Sequence, residues 1–389
     1  MNIKYLDLHT INRPYEHAAD EVLRSGWYLR GEATRRFEQH YARYIGTRHC
    51  IGVANGLDAL TLMLRAYKEM GRLKDGDEVI VPANTYIATI LAVTENRLTP
   101  VLVEPDIDTL QIDDTLIEQA VTRKTRAVML VHLYGRCAYT DRVGDICRRH
   151  GLLLLEDNAQ AHGCRFISHS SFLIPHSKLT GSLGAAAAHS FYPGKNLGAF
   201  GDAGAVTTND DRLAAIVRSI ANYGSSEKYV FDYIGRNSRL DELQAAILDA
   251  KLPHLDAANR RRKAIASFYI NKVKNPLITI PSSSLTAPSS AVPYAEALPQ
   301  PPLDCVWHIF PVLTPRRDEL QRYLAAHGVE TQIHYPIPPH RQRCYRGQWP
   351  ALSLPVTERI HREELSLPCN QAMTDQEAAY VADLLNNFC

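Results

Sequence analysis

The sequence predicts an α/β fold, with a large unit built on a mostly parallel sheet and a small α+β unit after it. Two observations carry this prediction: short continuous apolar runs recur along the first half of the chain, and segments with helical spacing separate them. Continuous apolar runs are typical of strands buried on both faces, as in a parallel sheet covered by helices. The five runs are 78–81, 100–103, 127–133, 152–155 and 204–208.

The segments between these runs have the periodicity of amphipathic helices. Segment 55–67 places its apolar side chains at helical spacing, at Leu57, Leu60, Leu64 and Tyr67. Segment 140–150 has a similar pattern, and Gly151 follows it as a residue that commonly ends a helix. Strands that alternate with helices in this way indicate an α/β architecture.

The pattern changes near residue 250, which divides the chain into predicted domains 1–250 and 251–389. Segment 251–269 is strongly charged and helical in pattern, so we expect a long connecting helix there. Segment 282–302 is rich in Pro, Ser and Ala and is predicted to be a loop. The other predicted elements are strand 306–313, helix 316–327, strand 329–334 and helix 374–388.

Composition excludes several classes of protein. The 389 residues are 45% hydrophobic and 22% charged with a net charge of +1, which argues against a nucleic-acid or membrane-surface partner. No apolar run is long enough to span a membrane, and the N-terminus lacks the apolar stretch of a signal peptide. The eight cysteines form no CxxC pair, so we expect no metal site and free thiols in a cytoplasmic protein.

Two residues point to a specific chemistry. Lys195 lies in the uncharged segment 190–198, and Asp157 follows the apolar run 152–155. A carboxylate at the carboxyl end of a central strand lies where open α/β sheets bind ligands, although a helix cap or a turn is an equally ordinary use of it. A lysine that can form a Schiff base and an acid that can pair with a pyridinium nitrogen are what pyridoxal 5'-phosphate (PLP) chemistry needs.

Further residues fit the PLP hypothesis, although each of them also has an ordinary structural explanation. Gly56 opens a predicted helix whose free N–H groups can hold a phosphate, and the Ser190 hydroxyl can join them. Gln160 can bond the phenolic oxygen of PLP, and Tyr86 can stack on a planar ring. Each of these side chains could equally be a packing or solvent-facing residue.

Longer motifs resemble those of the DegT/DnrJ/EryC1 sugar aminotransferases, a family of the aspartate aminotransferase (fold type I) superfamily. The resemblance covers nearly the whole chain and rests on the order of its motifs. These are 25–28, 55–60, 82–86, 131–135, 156–163, 190–198, 201–205 and 237–246.

The resemblance implies a role for each matched residue. Lys195 would carry the cofactor and move the proton, and Asp157 would pair with the pyridinium nitrogen. The remaining cofactor contacts would be Gly56, Leu57, Tyr86, Gln160 and Ser190, with Asn237 reaching the phosphate from the other subunit of a homodimer. Candidate substrate contacts are Tyr28, Tyr192, His308 and His334, although lone strand histidines are usually structural.

The resemblance also implies the reaction. An amino acid, usually L-glutamate, would donate its amino group to a nucleotide-linked keto-sugar in the making of a surface polysaccharide or a glycosylated metabolite. Segments 191–198 and 333–338 favour dTDP-3-keto-6-deoxyhexose, with C4 amination of a dTDP- or UDP-4-keto-sugar and a non-catalytic regulator as alternatives. A sugar dehydratase of this fold would have histidine in place of Lys195. Segments 167–180 and 282–302 are longer than the family pattern predicts, and we expect 167–180 to be a surface loop.

Overall fold

A seven-stranded sheet forms the centre of the computed structural model, which describes residues 1–167, 177–281 and 305–389. Its strand order is β1-β9-β8-β5-β4-β2-β3. The strands are β1 (His49–Val53), β2 (Glu78–Pro82), β3 (Thr99–Val103), β4 (Thr125–Val131), β5 (Leu153–Asp157), β8 (Ala186–Ser190) and β9 (Gly204–Thr208). Strand β9 runs antiparallel to both of its neighbours, and every other pairing is parallel. The predicted mostly parallel sheet is therefore confirmed.

Strands β1 and β8 were absent from the predicted set, although the other five match the apolar runs. Strand β8 reads Ala-Ala-Ala-His-Ser and β1 reads His-Cys-Ile-Gly-Val. Alanine and glycine are poor strand formers, so neither sequence carries a clear strand signal. Both strands are held by their pairing with β9, which tertiary contacts dictate.

Helices cover the sheet and extend into the C-terminal part of the chain. Helix α4 buries Leu60, Leu64 and Tyr67 among the side chains of the sheet, which confirms the predicted amphipathic helix. Helix α7 ends at Gly151, which adopts the left-handed conformation that favours glycine. The helices are α1 (Leu8–Asn12), α2 (Asp20–Ser25), α3 (Glu32–Ile45), α4 (Gly56–Glu69), α5 (Ile87–Glu95), α6 (Asp114–Ile117), α7 (Asp141–His150), α8 (Asp211–Ile220), α9 (Glu242–Lys251), α10 (Leu255–Lys272), α11 (Arg317–Ala326), α12 (Pro355–Glu363) and α13 (Asp375–Asn387).

Three short strand pairs accompany the central sheet. They are β6 (Arg165–Ile167) with β7 (Ser177–Leu179), β10 (Ser225–Glu227) with β11 (Val230–Phe231), and β12 (Phe310–Leu313) with β13 (Glu364–Leu367). The first pair lies at the two ends of the predicted loop 167–180, whose residues 168–176 are outside the described residues. The predicted loop 282–302 also lies outside them.

The C-terminal part has its own apolar cluster, formed by α10, α11, α13, β12 and β13 together with Ile3. The predicted strand 329–334 was wrong: the segment makes only single bridges, from Val329 and Gln332, and β12 pairs with β13. Three prolines lie within five residues after that segment, at positions 336, 338 and 339, and proline cannot donate to a strand ladder. The domain division at residue 250 stays a prediction.

Candidate active site

A cavity of about 760 Å³ opens at the carboxyl ends of the parallel strands β4, β5 and β8. The large sheet contributes Asp157 and Ser190, which end β5 and β8. The C-terminal part contributes His308 and His334, and the N-terminal segment contributes Tyr5. Open α/β sheets bind their ligands at this edge, so the cavity has the position that the sequence predicts for Asp157.

Lys195 lies in the cavity wall on a tight turn. Its backbone N–H donates to the Tyr192 carbonyl at 2.8 Å, and its side chain is half-buried. Burial lowers the pKa of Lys195 to about 8, although the negative charge of Asp157 opposes the shift. This lysine therefore loses its proton more readily than an exposed one, and its neutral amine is a nucleophile or base.

Asp157 is a buried carboxylate held by neutral donors. Its Oδ2 accepts from the Thr89 hydroxyl at 2.8 Å, and its Oδ1 accepts from the Ala159 N–H at 3.2 Å. Burial raises the pKa of this carboxyl, while Thr89 and Ala159 oppose the shift. A buried carboxylate is stabilised best by a cation, so this position suits a ligand with a positively charged N–H.

The start of α4 forms a cradle at the same cavity. The Asn55 side chain accepts from the Asp58 N–H at 2.8 Å and caps the helix, and Gly56 and Leu57 line the cavity. A Cβ atom placed on Gly56 would come within 2.5 Å of the Ser190 Cβ. Glycine is thus required for the helix start to approach Ser190, and the two together suit an anionic group.

The Gln160 amide is fixed by two partners. Its Oε1 accepts from the Tyr134 N–H at 2.6 Å, and its Nε2 donates to the Tyr335 hydroxyl at 3.1 Å. This orientation leaves the second N–H of Nε2 for a ligand oxygen. The Tyr86 ring lies 5.0 Å from the Tyr335 ring, measured between centroids, so two aromatic rings border the cavity.

His308 and Tyr192 also line the cavity, as the sequence predicts for substrate contacts. The His308 Nδ1 lies 3.1 Å from the Asn196 Oδ1, and Asn196 in turn donates to the Asn259 side chain at 2.8 Å. Burial holds the pKa of His308 well below its usual range, so its ring is neutral. Tyr192 is 58% exposed at the mouth of the cavity.

Tyr28 and Asn237 lie outside the cavity of the single chain. Tyr28 is half-exposed, and its carbonyl accepts from the Glu242 N–H at 3.0 Å. Asn237 is exposed beside Asn222. For Asn237 this position agrees with a contact to a second subunit, whereas the position of Tyr28 gives its predicted role no support within one chain.

Sequence reasoning missed several residues of the site. Thr89 holds Asp157, and Tyr335 holds Gln160. Tyr335 lies inside segment 333–338, which we used only to favour a 3-keto sugar, and an aromatic residue beside His334 is a signal that could have identified it. Thr89 and Tyr5 carry no local signal, because only the fold brings Thr89 to Asp157 and Tyr5 to the cavity.

Comparison with known proteins identifies the family. The profile of the DegT/DnrJ/EryC1/StrS aminotransferase family matches residues 10–386. The chain belongs to this family. It is therefore an aminotransferase, and the predicted fold type I architecture is confirmed.

Two curated relatives match this aminotransferase along its whole length. One, from Aneurinibacillus thermoaerophilus, is a dTDP-3-amino-3,6-dideoxy-alpha-D-galactopyranose transaminase, 47% identical over 390 residues that span 99% of each chain. The other, from Streptomyces venezuelae, is a dTDP-3-amino-3,4,6-trideoxy-alpha-D-glucose transaminase, 43% identical over 99% of this chain and 96% of its own. The crystal structure of S. venezuelae DesV in complex with a ketimine intermediate superposes with a TM-score of 0.88 at 42% identity, covering 99% and 98% of the two chains.

The cofactor of this aminotransferase is PLP, and its residues fit that group. The Gly56 cradle suits the phosphate, the buried Asp157 suits the pyridinium N–H, and Lys195 supplies the amine. Among the described residues, no group of three or more His, Cys, Asp or Glu side chains is arranged to hold a metal ion. Across the described ranges, no helix is both long and apolar enough to cross a membrane.

Proposed function

We propose that this aminotransferase moves an amino group from L-glutamate to C3 of a dTDP-linked 3-keto-6-deoxyhexose. The observation that carries the proposal is the match along the whole chain to two transaminases of dTDP-3-amino sugars. The cavity supports it, because about 760 Å³ exceeds what PLP alone occupies and so leaves room for a sugar.

Each residue of the cavity has a distinct task in this proposal. When bound, PLP supplies an electron sink that stabilises negative charge at the carbon next to the transferred nitrogen. The Lys195 amine takes a proton from that carbon and returns it at the other end of the transfer, which suits a pKa of about 8. Asp157 holds the ring N–H, the α4 cradle and Ser190 hold the phosphate, and Gln160 donates to the ring oxygen.

We also propose a homodimer with shared active sites. The β10–β11 hairpin and the residues after it expose apolar side chains: Tyr229 is 81%, Phe231 58% and Ile234 84% exposed. Exposed apolar clusters of this kind mark interaction surfaces, and Asn237 lies just after this one. A second copy that covers the hairpin would receive Asn237 at its phosphate cradle.

Mixed dimers test the shared site. Asn237→Ala and Lys195→Ala chains are mixed after each homodimer has been shown to be impaired. If Asn237 serves the partner's site, half of the sites in each heterodimer are intact, and activity rises to about a quarter of wild type at equal mixing. If mixing restores no activity although heterodimers form, Asn237 acts within its own chain and the proposal is wrong.

Product NMR tests the reaction itself. The protein is incubated with L-glutamate and either dTDP-3-keto- or dTDP-4-keto-6-deoxyhexose, with Lys195→Ala as the matched inactive control. We expect amination at C3 only. Amination at C4 alone would refute the regiochemistry and favour the C4-aminating alternative.

A non-catalytic regulator is the other alternative, and the retention of both Lys195 and Asp157 in the cavity argues against it. A regulator that binds PLP would show absorbance at roughly 410–430 nm yet form no amino sugar from either ketone. We further propose a cytoplasmic location, because all eight cysteines are free thiols, as expected in a reducing compartment.

A further inference from the structure

His334 is connected to two buried side chains of β13. Its Nδ1 lies 2.7 Å from the Ser366 Oγ, and the Ser366 hydroxyl is hydrogen-bonded to the Glu364 Oε1. The Glu364 Oε2 accepts from the His334 backbone N–H at 2.6 Å, which closes the loop of contacts. Glu364 and Ser366 are fully buried, and as alternate residues of one strand they face the same side.

The hydrogen atoms of the hydrogen bonds that join Glu364, Ser366 and His334 can be arranged in two ways. If Glu364 is ionised, Ser366 donates to it, His334 Nδ1–H donates to Ser366, and Nε2 is a bare acceptor. If Glu364 is protonated, it donates to Ser366, Ser366 donates to Nδ1, and Nε2 carries the hydrogen. Because Ser366 engages Nδ1 in both arrangements, Nε2 is the nitrogen available to a ligand in the cavity.

We propose that Glu364 and Ser366 are positioning residues that set the tautomer of His334, and so decide whether His334 donates or accepts a hydrogen bond in the active cavity. These two residues and His334 form a hydrogen-bonded relay behind the cavity wall. The kinetic part of this inference rests on the proposed function. With Glu364 protonated, His334 donates to a substrate oxygen. That oxygen belongs either to the carboxylate of the amino donor or to the sugar.

Burial favours the protonated arrangement at neutral pH. It raises the pKa of Glu364 to about 8, although Ser366, the His334 N–H and the positive charge of Arg317 oppose the shift. Burial also lowers the pKa of His334 to about 4, and the charge of Lys195 adds to this effect, so the ring is neutral and only its tautomer can change. The titratable groups that surround Glu364 are Arg317 on α11, Tyr5 in the N-terminal segment, Tyr134 after β4, and His334 and Tyr335 before α12.

Tyr5 does not disturb this scheme. Its hydroxyl hydrogen-bonds with Ser366, and burial keeps its pKa above its usual range, so it stays a neutral donor. The Ser366 oxygen can accept from Tyr5 in either arrangement, because a hydroxyl oxygen has two acceptor positions. The direction of the hydrogen bonds from Glu364 through Ser366 to His334 therefore depends on the protonation of Glu364.

The direct test is the tautomer of His334 in the cofactor-free protein. Protein labelled with ¹⁵N-histidine is titrated between about pH 6 and pH 9.5, with His334→Asn identifying the signal. In wild type we expect Nε2–H below about pH 8 and Nδ1–H above it. Glu364→Gln places an amide that donates to Ser366 permanently, so Nε2–H should persist throughout the range.

Two results would overturn the proposal: a tautomer that does not change with pH in wild type, or the same change in Glu364→Gln. The second result would assign the change to Lys195, whose pKa is also about 8. Ser366→Ala should uncouple His334 from Glu364 and abolish the change, whereas Ser366→Thr keeps the hydroxyl and should retain it. Thermal unfolding of each variant verifies that it is folded.

The kinetic test separates the two oxygen sources. In wild type, KM for the substrate that His334 contacts should rise about tenfold as pH increases through 8, with kcat less affected, and Glu364→Gln should remove this rise. A rise in KM for L-glutamate identifies the carboxylate, and a rise for the sugar nucleotide identifies a sugar oxygen. A KM rise for neither substrate, or an equal rise in Glu364→Gln, would overturn the role in binding. If the protein aminates neither sugar, the proposed function fails, while the NMR titration still decides the relay.

Discussion

Glu156→Gln tests how the strand that carries Asp157 is held. Glu156 precedes Asp157 on β5 and is fully buried. Its Oε1 accepts from the backbone N–H groups of Leu183 and Gly184, at 2.8 and 2.7 Å. Its Oε2 accepts from the Gly181 N–H at 2.7 Å and from the His132 Nε2 at 2.8 Å.

All four partners are donors. The Ala138 N–H donates to the His132 Nδ1 at 3.0 Å, which places the imidazole hydrogen on Nε2. Glutamine keeps one acceptor oxygen and puts an NH₂ group in place of the other. Two buried donors then lose their acceptor in either orientation of the amide. At ~1–3 kcal/mol for each unsatisfied donor, the substitution should cost about 4 kcal/mol.

Urea unfolding of the cofactor-free protein measures the total loss, and hydrogen exchange followed by mass spectrometry locates it. Either the Gly181 amide or the Leu183 and Gly184 amides, depending on which oxygen position the glutamine keeps, should exchange at least about tenfold faster, since each 1.4 kcal/mol is a factor of ten. Glu319→Gln, on the exposed side of α11, is the matched control and should change neither measurement. A loss below ~1 kcal/mol with unchanged exchange at these amides would refute the hydrogen-bond account.

Three further predictions concern the cofactor site. Gly56→Ala should weaken PLP binding at least about tenfold in a spectroscopic titration, because its Cβ would collide with Ser190; unchanged affinity would contradict the cradle. The rate at which the cofactor-free protein captures PLP should rise with pH and level off above about 8, as Lys195 loses its proton. Asp157→Asn should move the midpoint of this rise to lower pH, since the Asp157 charge raises the pKa of Lys195. A shift of the midpoint to higher pH would contradict the coupling of the two residues. Tyr335→Phe should reduce PLP affinity about threefold by releasing the Gln160 amide, with a stability loss of ~1 kcal/mol from the lost hydrogen bond; unchanged affinity would contradict the fixing of Gln160 by Tyr335.

The sequence predicted the parts of the site where a single segment shows both its secondary structure and its reactive side chain. The apolar run before Asp157 is a buried strand, and the segment around Lys195 is a tight turn at the cavity. The relay behind His334 was not predictable in this way. Glu364 and Ser366 lie about thirty positions along the chain from His334, on a strand that the sequence pattern did not predict.

The chain has sixteen histidines, and histidine is the side chain whose ordinary pKa lies closest to neutral pH. The buried histidines in and around the cavity do not titrate in that range. Burial lowers the pKa of His162 to about 3 and of His334 to about 4, and it keeps those of His189 and His308 well below their usual range.

The site instead titrates through a lysine and a glutamate that burial has moved toward each other, both to about 8. Lys195 becomes neutral and Glu364 becomes charged over the same interval, so under the proposed function the lysine gains its ability to accept a proton while His334 loses its hydrogen-bond donor. Where His334 contacts the sugar, a maximum near pH 8 in kcat/KM for the sugar nucleotide follows from these opposite effects, because Lys195 is a free amine when that substrate binds. Glu364→Gln should broaden that maximum on its alkaline side only, because the acid limb of the pH profile belongs to Lys195. Broadening on the acid side would show that Glu364, and not Lys195, controls the acid limb.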